Sequence, residues 1–108
     1  MAVYETGTAT ISVLGSWQNI STPAWPGIYT LVLDTSNLQA GETLDVELQI
    51  KVISADPVKT AFAFTYSGIQ TAEPVKAHVP VAAPFSANFR IKQTGGTARA
   101  FPWTVMGN

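Results

Sequence analysis

In the segment of residues 43–54, apolar and polar residues alternate strictly from Thr43 to Val52, and this constrains the fold more than any other feature of the chain. The apolar members of the alternation are Leu44, Val46, Leu48, Ile50 and Val52. Successive side chains of a β-strand point to opposite faces, so this period of two predicts a strand with one buried and one solvated face. Strands of this kind are typical of antiparallel sheets.

The same period recurs elsewhere in the chain. Residues 85–93 alternate in the same way, and residues 58–66 place Phe62, Phe64 and Tyr66 on one predicted core face. Weaker strands are predicted for residues 8–14, 28–34, 75–81 and 98–105. Because proline cannot donate to a strand ladder, Pro80 and Pro102 assign the last two to sheet edges or bulges. No segment shows a sustained helical period.

These segments predict an all-β fold of about seven short strands, an antiparallel β-sandwich with a jelly-roll-like arrangement. A length of 108 residues suits one domain, so residues 1–108 form the predicted sandwich and residues 1–7 are a candidate extended N-terminal arm. The chain has no cysteine, so we expect packing to hold the fold without disulfides or thiolate metal sites.

The chain carries unusually little charge. Charged residues make up 12% of the sequence and the formal net charge is -1, against a usual charged share of about 25%. Neutralising phosphates takes clusters of Lys and Arg, so a basic nucleic-acid binder is excluded. The 46% hydrophobic content excludes intrinsic disorder. Neutral polar surface is less costly to desolvate than ions, so the low charge predicts a subunit of an assembly.

The charges are also unevenly placed along the sequence. Five of the thirteen charged residues lie on the two strongest predicted strands, and residues 2–33 carry only Glu5. No stretch approaches the roughly 20 apolar residues of a membrane span, and no leader segment is recognisable. We therefore expect synthesis and folding in the cytoplasm, with no membrane partner.

Two groups of residues are weighed for acid–base chemistry. The only histidine, His78, is expected to be a half-exposed strand residue, since a triad also needs a nucleophile and an acid near it. Asp45 and Glu47 share one strand face at roughly 7 Å, near the spacing of glycosidase carboxylates. Alternating strands place charges on their wet face by default, so we interpret this pair as solvated surface.

A third group offers oxygen ligands. Asp34, Ser36, Asn37 and Glu42 have the chemistry that calcium prefers, but they are also ordinary turn residues and lack the close spacing of a calcium loop. The chain contains no phosphate-binding glycine loop and no nucleophile elbow. We therefore predict no enzyme activity, no cofactor and no metal.

Large aromatic residues are the strongest candidates for partner contacts. Trp25 lies between Pro23 and Pro26, which stiffen the backbone and are expected to hold the ring toward solvent. A rigid exposed ring can anchor a protein interface or stack on a sugar. The predicted contact residues are Trp17, Trp25, Tyr29, Phe101 and Trp103.

Three segments, covering parts of the last two thirds of the chain, carry a resemblance. They are residues 37–44 (NLQAGETL), residues 59–62 (KTAF) and residues 90–103 (RIKQTGGTARAFPW). Together they resemble small virion proteins of tailed bacteriophages that are encoded among the head genes. The last segment is the clearest, although Pro102 stands where those proteins more often have an acidic residue.

The resemblance implies a non-enzymatic structural role, as a decoration or cement protein on the exterior of the virion capsid. Its implied partners are the major capsid protein and copies of itself, in a homo-oligomer, without nucleic acid. The alternative is a carbohydrate-binding or host-recognition module of a phage tail or fibre. That alternative uses the same exposed aromatic residues to bind a glycan.

Overall fold

The computed structural model describes residues 1–107, and these form nine β-strands. The strands are β1 (Ala2–Thr10), β2 (Gln18–Ser21), β3 (Gly27–Asp34), β4 (Thr43–Ile50), β5 (Lys59–Ser67), β6 (Val75–Ala77), β7 (Val81–Ala83), β8 (Ala87–Thr94) and β9 (Ala100–Gly107). The first sheet has the order β1-β9-β3-β6, with β7 also paired to β3, and the second has the order β2-β8-β4-β5. The predicted antiparallel β-sandwich is confirmed, with nine strands instead of about seven.

Strand pairing in the sandwich is nested. β4 pairs with β5, β3 with β6 and β7, β2 with β8, and β1 with β9. The chain thus folds as one long hairpin whose successive strand pairs alternate between the two sheets. Pairing of β4 with β8 and of β3 with β9 completes the sheets. The described residues include no helix of the length and hydropathy needed to cross a membrane.

The core lies between the two sheets and is built from the apolar members of each alternation. The apolar side chains that are no more than 1% exposed come from four central strands and the β3–β4 loop: Leu31, Leu33, Leu38, Leu44, Val46, Leu48, Phe89, Ile91, Phe101 and Val105. Phe62, Phe64 and Tyr66 also pack against this core. They are only partly buried, because β5 is the outer strand of its sheet.

Four predicted strands differ from the observed ones. The strand predicted for residues 43–54 ends at Ile50, so Val52 lies outside it and is exposed. The first strand begins at Ala2 rather than at residue 8 and pairs with β9 along its length, so most of residues 1–7 lie in a sheet. Residues 75–81 are divided into β6 and β7 at the edge of the first sheet, as expected from Pro80. The edge assignment from Pro102 is wrong, because β9 lies between β1 and β3. Pro102 is tolerated there because the β3–β9 pairing ends at Leu33 and Trp103, the residue that follows Pro102, so no β3 residue is paired with the proline.

The β8–β9 hairpin, which carries the clearest part of the resemblance, is organised by a buried glutamine. The side chain of Gln93 is fully buried, and its Nε2 donates to the carbonyl oxygens of Thr97 at 2.7 Å and Gly95 at 3.2 Å. Its Oε1 accepts from the backbone N–H of Arg99 at 2.9 Å. One amide side chain therefore supplies the hydrogen bonds that the hairpin backbone needs away from water.

Candidate interaction surface

One end of the sandwich carries most of the exposed large hydrophobic side chains. We call this surface the apolar end; it is formed by residues 1–4, 22–28, 51–58 and 84–86. Of the thirteen such side chains in the described part of the chain, eight lie here: Met1, Val3, Tyr4, Trp25, Ile28, Val52, Ile53 and Phe85. Apolar clusters of this kind mark interaction sites more often than scattered single residues do.

Strand register and two backbone hydrogen bonds bring these segments together. Ile50, the last residue of β4, pairs with Ala87 on one side and with Lys59 on the other. The N–H of Ala87 donates to the carbonyl of Pro23 at 2.9 Å, and the N–H of Lys51 donates to the carbonyl of Ser86 at 3.4 Å. The β2–β3, β4–β5 and β7–β8 loops therefore form one continuous surface.

Trp25 is the most exposed large residue of the apolar end, with 70% of its surface accessible. The hydroxyl of Tyr29 donates to the Trp25 carbonyl at 2.7 Å, which fixes the backbone that carries the ring. Burial, and the neighbouring Tyr4 ring, raise the pKa of that hydroxyl, so it remains a donor. A backbone held in place before binding loses little conformational entropy on contact. The expected solvent-facing position of Trp25 is confirmed by its exposure, and the stiffness of its segment and its contact role stay predictions.

The prediction of a contact role for three other aromatic residues has to be corrected. Tyr29, Phe101 and Trp103 are 2%, 0% and 8% exposed, so they belong to the core. Their strands, β3 and β9, are central in the first sheet and point these rings between the sheets. Trp103 packs beside Gly7 of β1, where an added Cβ atom would lie 3.1 Å from the indole.

Trp17, the remaining predicted contact residue, lies half-buried against the second sheet. The Arg90 guanidinium carbon is 4.4 Å from the centroid of its ring, and the Lys92 ammonium is 4.8 Å from it. Such cation–π contacts draw the indole onto the strand surface. Trp17 therefore covers charged side chains of its own chain.

The outward face of the second sheet holds two cross-strand ion pairs. Asp45 Oδ2 is 3.8 Å from Lys92 Nζ, and Arg90 Nε donates to Glu47 Oε1 at 2.8 Å. The pairs follow the register of β4 and β8, in which Asp45 lies opposite Lys92 and Glu47 opposite Arg90. Each of the two carboxylates that were compared with a glycosidase pair is thus ion-paired with a cation, which supports their interpretation as surface residues.

The outward face of the first sheet is nearly free of charge. Its side chains are mainly threonine and aliphatic residues, among them Thr6, Thr8, Thr30, Val32, Thr104 and Met106. A shallow open groove of about 450 Å³ crosses it, and Asp34 supplies its one carboxylate. The backbone N–H of Ser36 donates to that carboxylate at 2.9 Å, and hydrogen bonds from Ser36 lower the pKa of Asp34. The uneven charge expected from the sequence is therefore a difference between the two sheet faces.

The candidate calcium ligands are used within the protein. Asn37 Nδ2 donates to the carbonyl of Ala100 at 2.6 Å, and the Glu42 carboxylate is 2.9 Å from Arg99 Nη2. Within residues 1–107 no group of three or more His, Asp or Glu side chains is arranged to hold a metal ion. These side chains form hydrogen bonds and an ion pair with other residues of the same chain.

His78 lies between the two sheets and is 6% exposed, so the expectation of a half-exposed position is wrong. Its Nδ1 is 3.0 Å from the carbonyl of Leu31 and its Nε2 is 2.9 Å from the hydroxyl of Tyr66. A carbonyl can only accept, so Nδ1 carries the proton and Nε2 accepts from Tyr66. Burial, with a smaller effect of Lys76, lowers the pKa of His78, which favours the neutral ring that bridges the sheets. Leu31 and Tyr66 are distant from His78 in the sequence, so no local sequence pattern predicts these contacts.

No protein-family model, no curated protein and no solved structure matches this chain. The resemblance to phage head proteins stays a prediction from the sequence.

Proposed function

We propose that the chain is a non-enzymatic structural subunit that binds the exterior of a tailed-phage capsid as a decoration or cement protein. The observation that carries this proposal is the apolar end, where exposed hydrophobic side chains gather around the exposed Trp25. Large aromatic anchors surrounded by smaller apolar contacts are typical of protein-binding surfaces. The major capsid protein is the proposed partner.

The charge distribution favours burial of the apolar end. Lys51 and Asp56 are the only side chains in its segments that are charged at neutral pH, and Asp56 Oδ2 lies 4.0 Å from Lys59 Nζ. A surface with so few ions has little hydration to lose when it meets another protein. The ion pairs of the second sheet, by contrast, suit a face that stays in water.

The strand order supports the jelly-roll interpretation. When β6 and β7 are counted as two parts of one interrupted strand, the nested pairs are those of a long hairpin wrapped into two sheets. Jelly rolls are common in viral capsid and lectin domains. In a decoration protein, many copies of such a rigid unit add modest contacts across neighbouring capsid subunits through avidity.

Co-sedimentation with preformed, expanded capsids of the phage that encodes the chain tests the proposal. We expect saturable binding with a stoichiometry fixed by the capsid lattice. Trp25→Ala should weaken binding by about tenfold or more, as for an interface anchor. If the wild-type protein neither binds capsids nor occurs in virions at high copy number, the proposal fails.

A matched pair of variants tests the docking end. Ile53 at the apolar end and Ile69 in the β5–β6 loop at the other end are both 54% exposed. Ile53→Ser should weaken capsid binding, whereas Ile69→Ser should leave it unchanged. Equal effects of the two substitutions would contradict docking through the apolar end.

The exposed Trp25 ring also favours a second candidate function, recognition of a host-surface glycan. A saccharide should then quench tryptophan fluorescence in a saturable way in the wild-type protein and not in Trp25→Ala. Saccharide binding without capsid binding would favour this tail or fibre role over capsid decoration.

A further inference from the structure

We propose that two copies of the chain associate through β5, so that their second sheets continue into one eight-stranded sheet with a twofold axis at Phe64. The proposal concerns the isolated protein and does not depend on the capsid role. It commits to a second copy of this chain as the occupant of the β5 edge.

β5 is the least protected edge strand of the sandwich. Proteins block sheet edges with short strands, prolines, bulges or inward-pointing charges. β2 has four residues, and β6 and β7 have three residues each. β1 is long, but its pairing is irregular between Val3 and Glu5, and the Glu5 carboxylate points inward to accept from Ser21 Oγ at 2.7 Å.

β5 lacks these devices over most of its length. It has nine residues and no proline, and its single charge, Lys59, is at its first residue. Its pairing with β4 is irregular only near Ala61, so residues 62–67 form a regular edge. Among residues 1–107, β4 is the one strand that pairs with it.

The side chains of this edge are symmetric in size about Phe64. Phe62, Phe64 and Tyr66 point toward the core side, and the small Ala63 and Thr65 point outward. Antiparallel pairing centred on Phe64 places Phe62 opposite Tyr66 of the second copy and Ala63 opposite its Thr65. Large residues then meet large ones and small residues meet small ones, as a self-complementary interface requires.

The same pairing covers rings that the monomer leaves partly exposed. Phe62, Phe64 and Tyr66 are only half-buried, and the β6 side chain of Lys76, 5.0 Å from the Tyr66 ring centroid, lies over one of them. Cross-strand aromatic pairs stabilise antiparallel sheets. The two Lys59 side chains would be ten residues apart along the paired strands, roughly 33 Å, so they do not repel each other.

The mass of the protein in solution provides the first test. Sedimentation equilibrium should give twice the 11.5 kDa mass of the chain. The double variant Ala63→Lys/Thr65→Lys places lysines opposite lysines at both paired positions and should be monomeric. The matched double variant Thr6→Lys/Thr8→Lys changes exposed, outward positions of the other long edge strand and should remain dimeric. Thermal unfolding of both variants confirms that each is folded.

Cysteine cross-linking tests the register, since the chain has no cysteine of its own. Directly opposed residues lie within disulfide reach, whereas diagonal ones do not. Under oxidation, Ala63→Cys mixed with Thr65→Cys should form a cross-linked dimer, and neither variant should do so alone. A monomeric wild-type protein, absence of cross-linking in the mixture, or cross-linking of Ala63→Cys alone would overturn the proposed pairing.

Discussion

The carboxylate of Glu42 and the guanidinium of Arg99 form a bidentate ion pair between two loops at the end of the sandwich opposite the apolar end. Arg99 Nε is 3.1 Å from both carboxylate oxygens, and Nη2 is 2.9 Å from one of them. Glu42 is 2% exposed and also accepts from the N–H groups of Gln39 at 3.0 Å and Thr97 at 3.2 Å. The pair joins the β3–β4 loop to the β8–β9 hairpin, two of the segments that carry the phage-protein resemblance.

This ion pair predicts acid sensitivity. Hydrogen bonds from Arg99 hold the pKa of Glu42 at about 2, below its ordinary 4.5. A carboxyl with a lowered folded-state pKa stabilises the fold above its unfolded-state pKa and loses that contribution as the pH falls toward the folded value. The free energy of unfolding should therefore decline between pH 4.5 and about 2.

Glu42→Gln provides the control for that decline. The variant should be less stable than the wild type at neutral pH and should lose less stability over the same acid range. Urea unfolding at a series of pH values measures both quantities. Parallel curves for the two proteins would show that Glu42 is not responsible.

The buried histidine predicts a second, separate pH range. Because burial lowers the pKa of His78 below 6.5, the contribution of its neutral form is complete above pH 6.5 and declines as the pH falls below that value. Protonation would also remove the acceptor for the Tyr66 hydroxyl. As His78 is the only histidine, its ring signals in an NMR titration give the midpoint directly. A midpoint at or above 6.5 would contradict the buried, neutral ring.

The stability lost on removing an aromatic ring should depend on how deeply that ring is buried. Phe101 is 0% exposed, so Phe101→Ala should lower the free energy of unfolding by about 3 to 5 kcal/mol. The half-buried Phe62 leaves a smaller cavity, and Phe62→Ala should cost less. Chemical denaturation measures the free energy of unfolding of both variants. Equal losses would show that Phe62 is packed as tightly as Phe101.

Two glycines with the same backbone angle separate conformational strain from steric clash. Gly15 and Gly95 both have a φ of 81°, but a Cβ atom would meet nothing within 4 Å at Gly15 and would lie 2.7 Å from the Gly41 carbonyl oxygen at Gly95. Gly15→Ala should cost about 1 to 2 kcal/mol through its left-handed conformation alone. Gly95→Ala should cost more and should loosen the Glu42–Arg99 contact. Similar melting temperatures for the two variants would contradict the close approach of the hairpin to the β3–β4 loop.

Sequence patterns succeeded where the information is local. The alternation of residues 43–54 predicted β4 and its buried face as far as Ile50, and that of residues 85–93 predicted β8 and its buried face from Ala87. Val52 and Phe85, which the same patterns place on those faces, lie outside the strands and are exposed. The two prolines beside Trp25 predicted its exposure. The edge position predicted from Pro102 was wrong, because the tolerance of a proline depends on where pairing with the neighbouring strand ends. The half-exposed position predicted for His78 was also wrong, because its burial depends on Leu31 and Tyr66.

The sequence by itself determined an all-β antiparallel sandwich with little charge, since a period of two and a composition are properties of neighbouring residues. Only the tertiary structure decided that Tyr29, Phe101 and Trp103 are core and that Trp25 shares one end with Ile53. The reason is that strand order and register are set by contacts between residues far apart in the chain. The same contacts turned a low overall charge into one ion-paired sheet face, one nearly uncharged face and an apolar end.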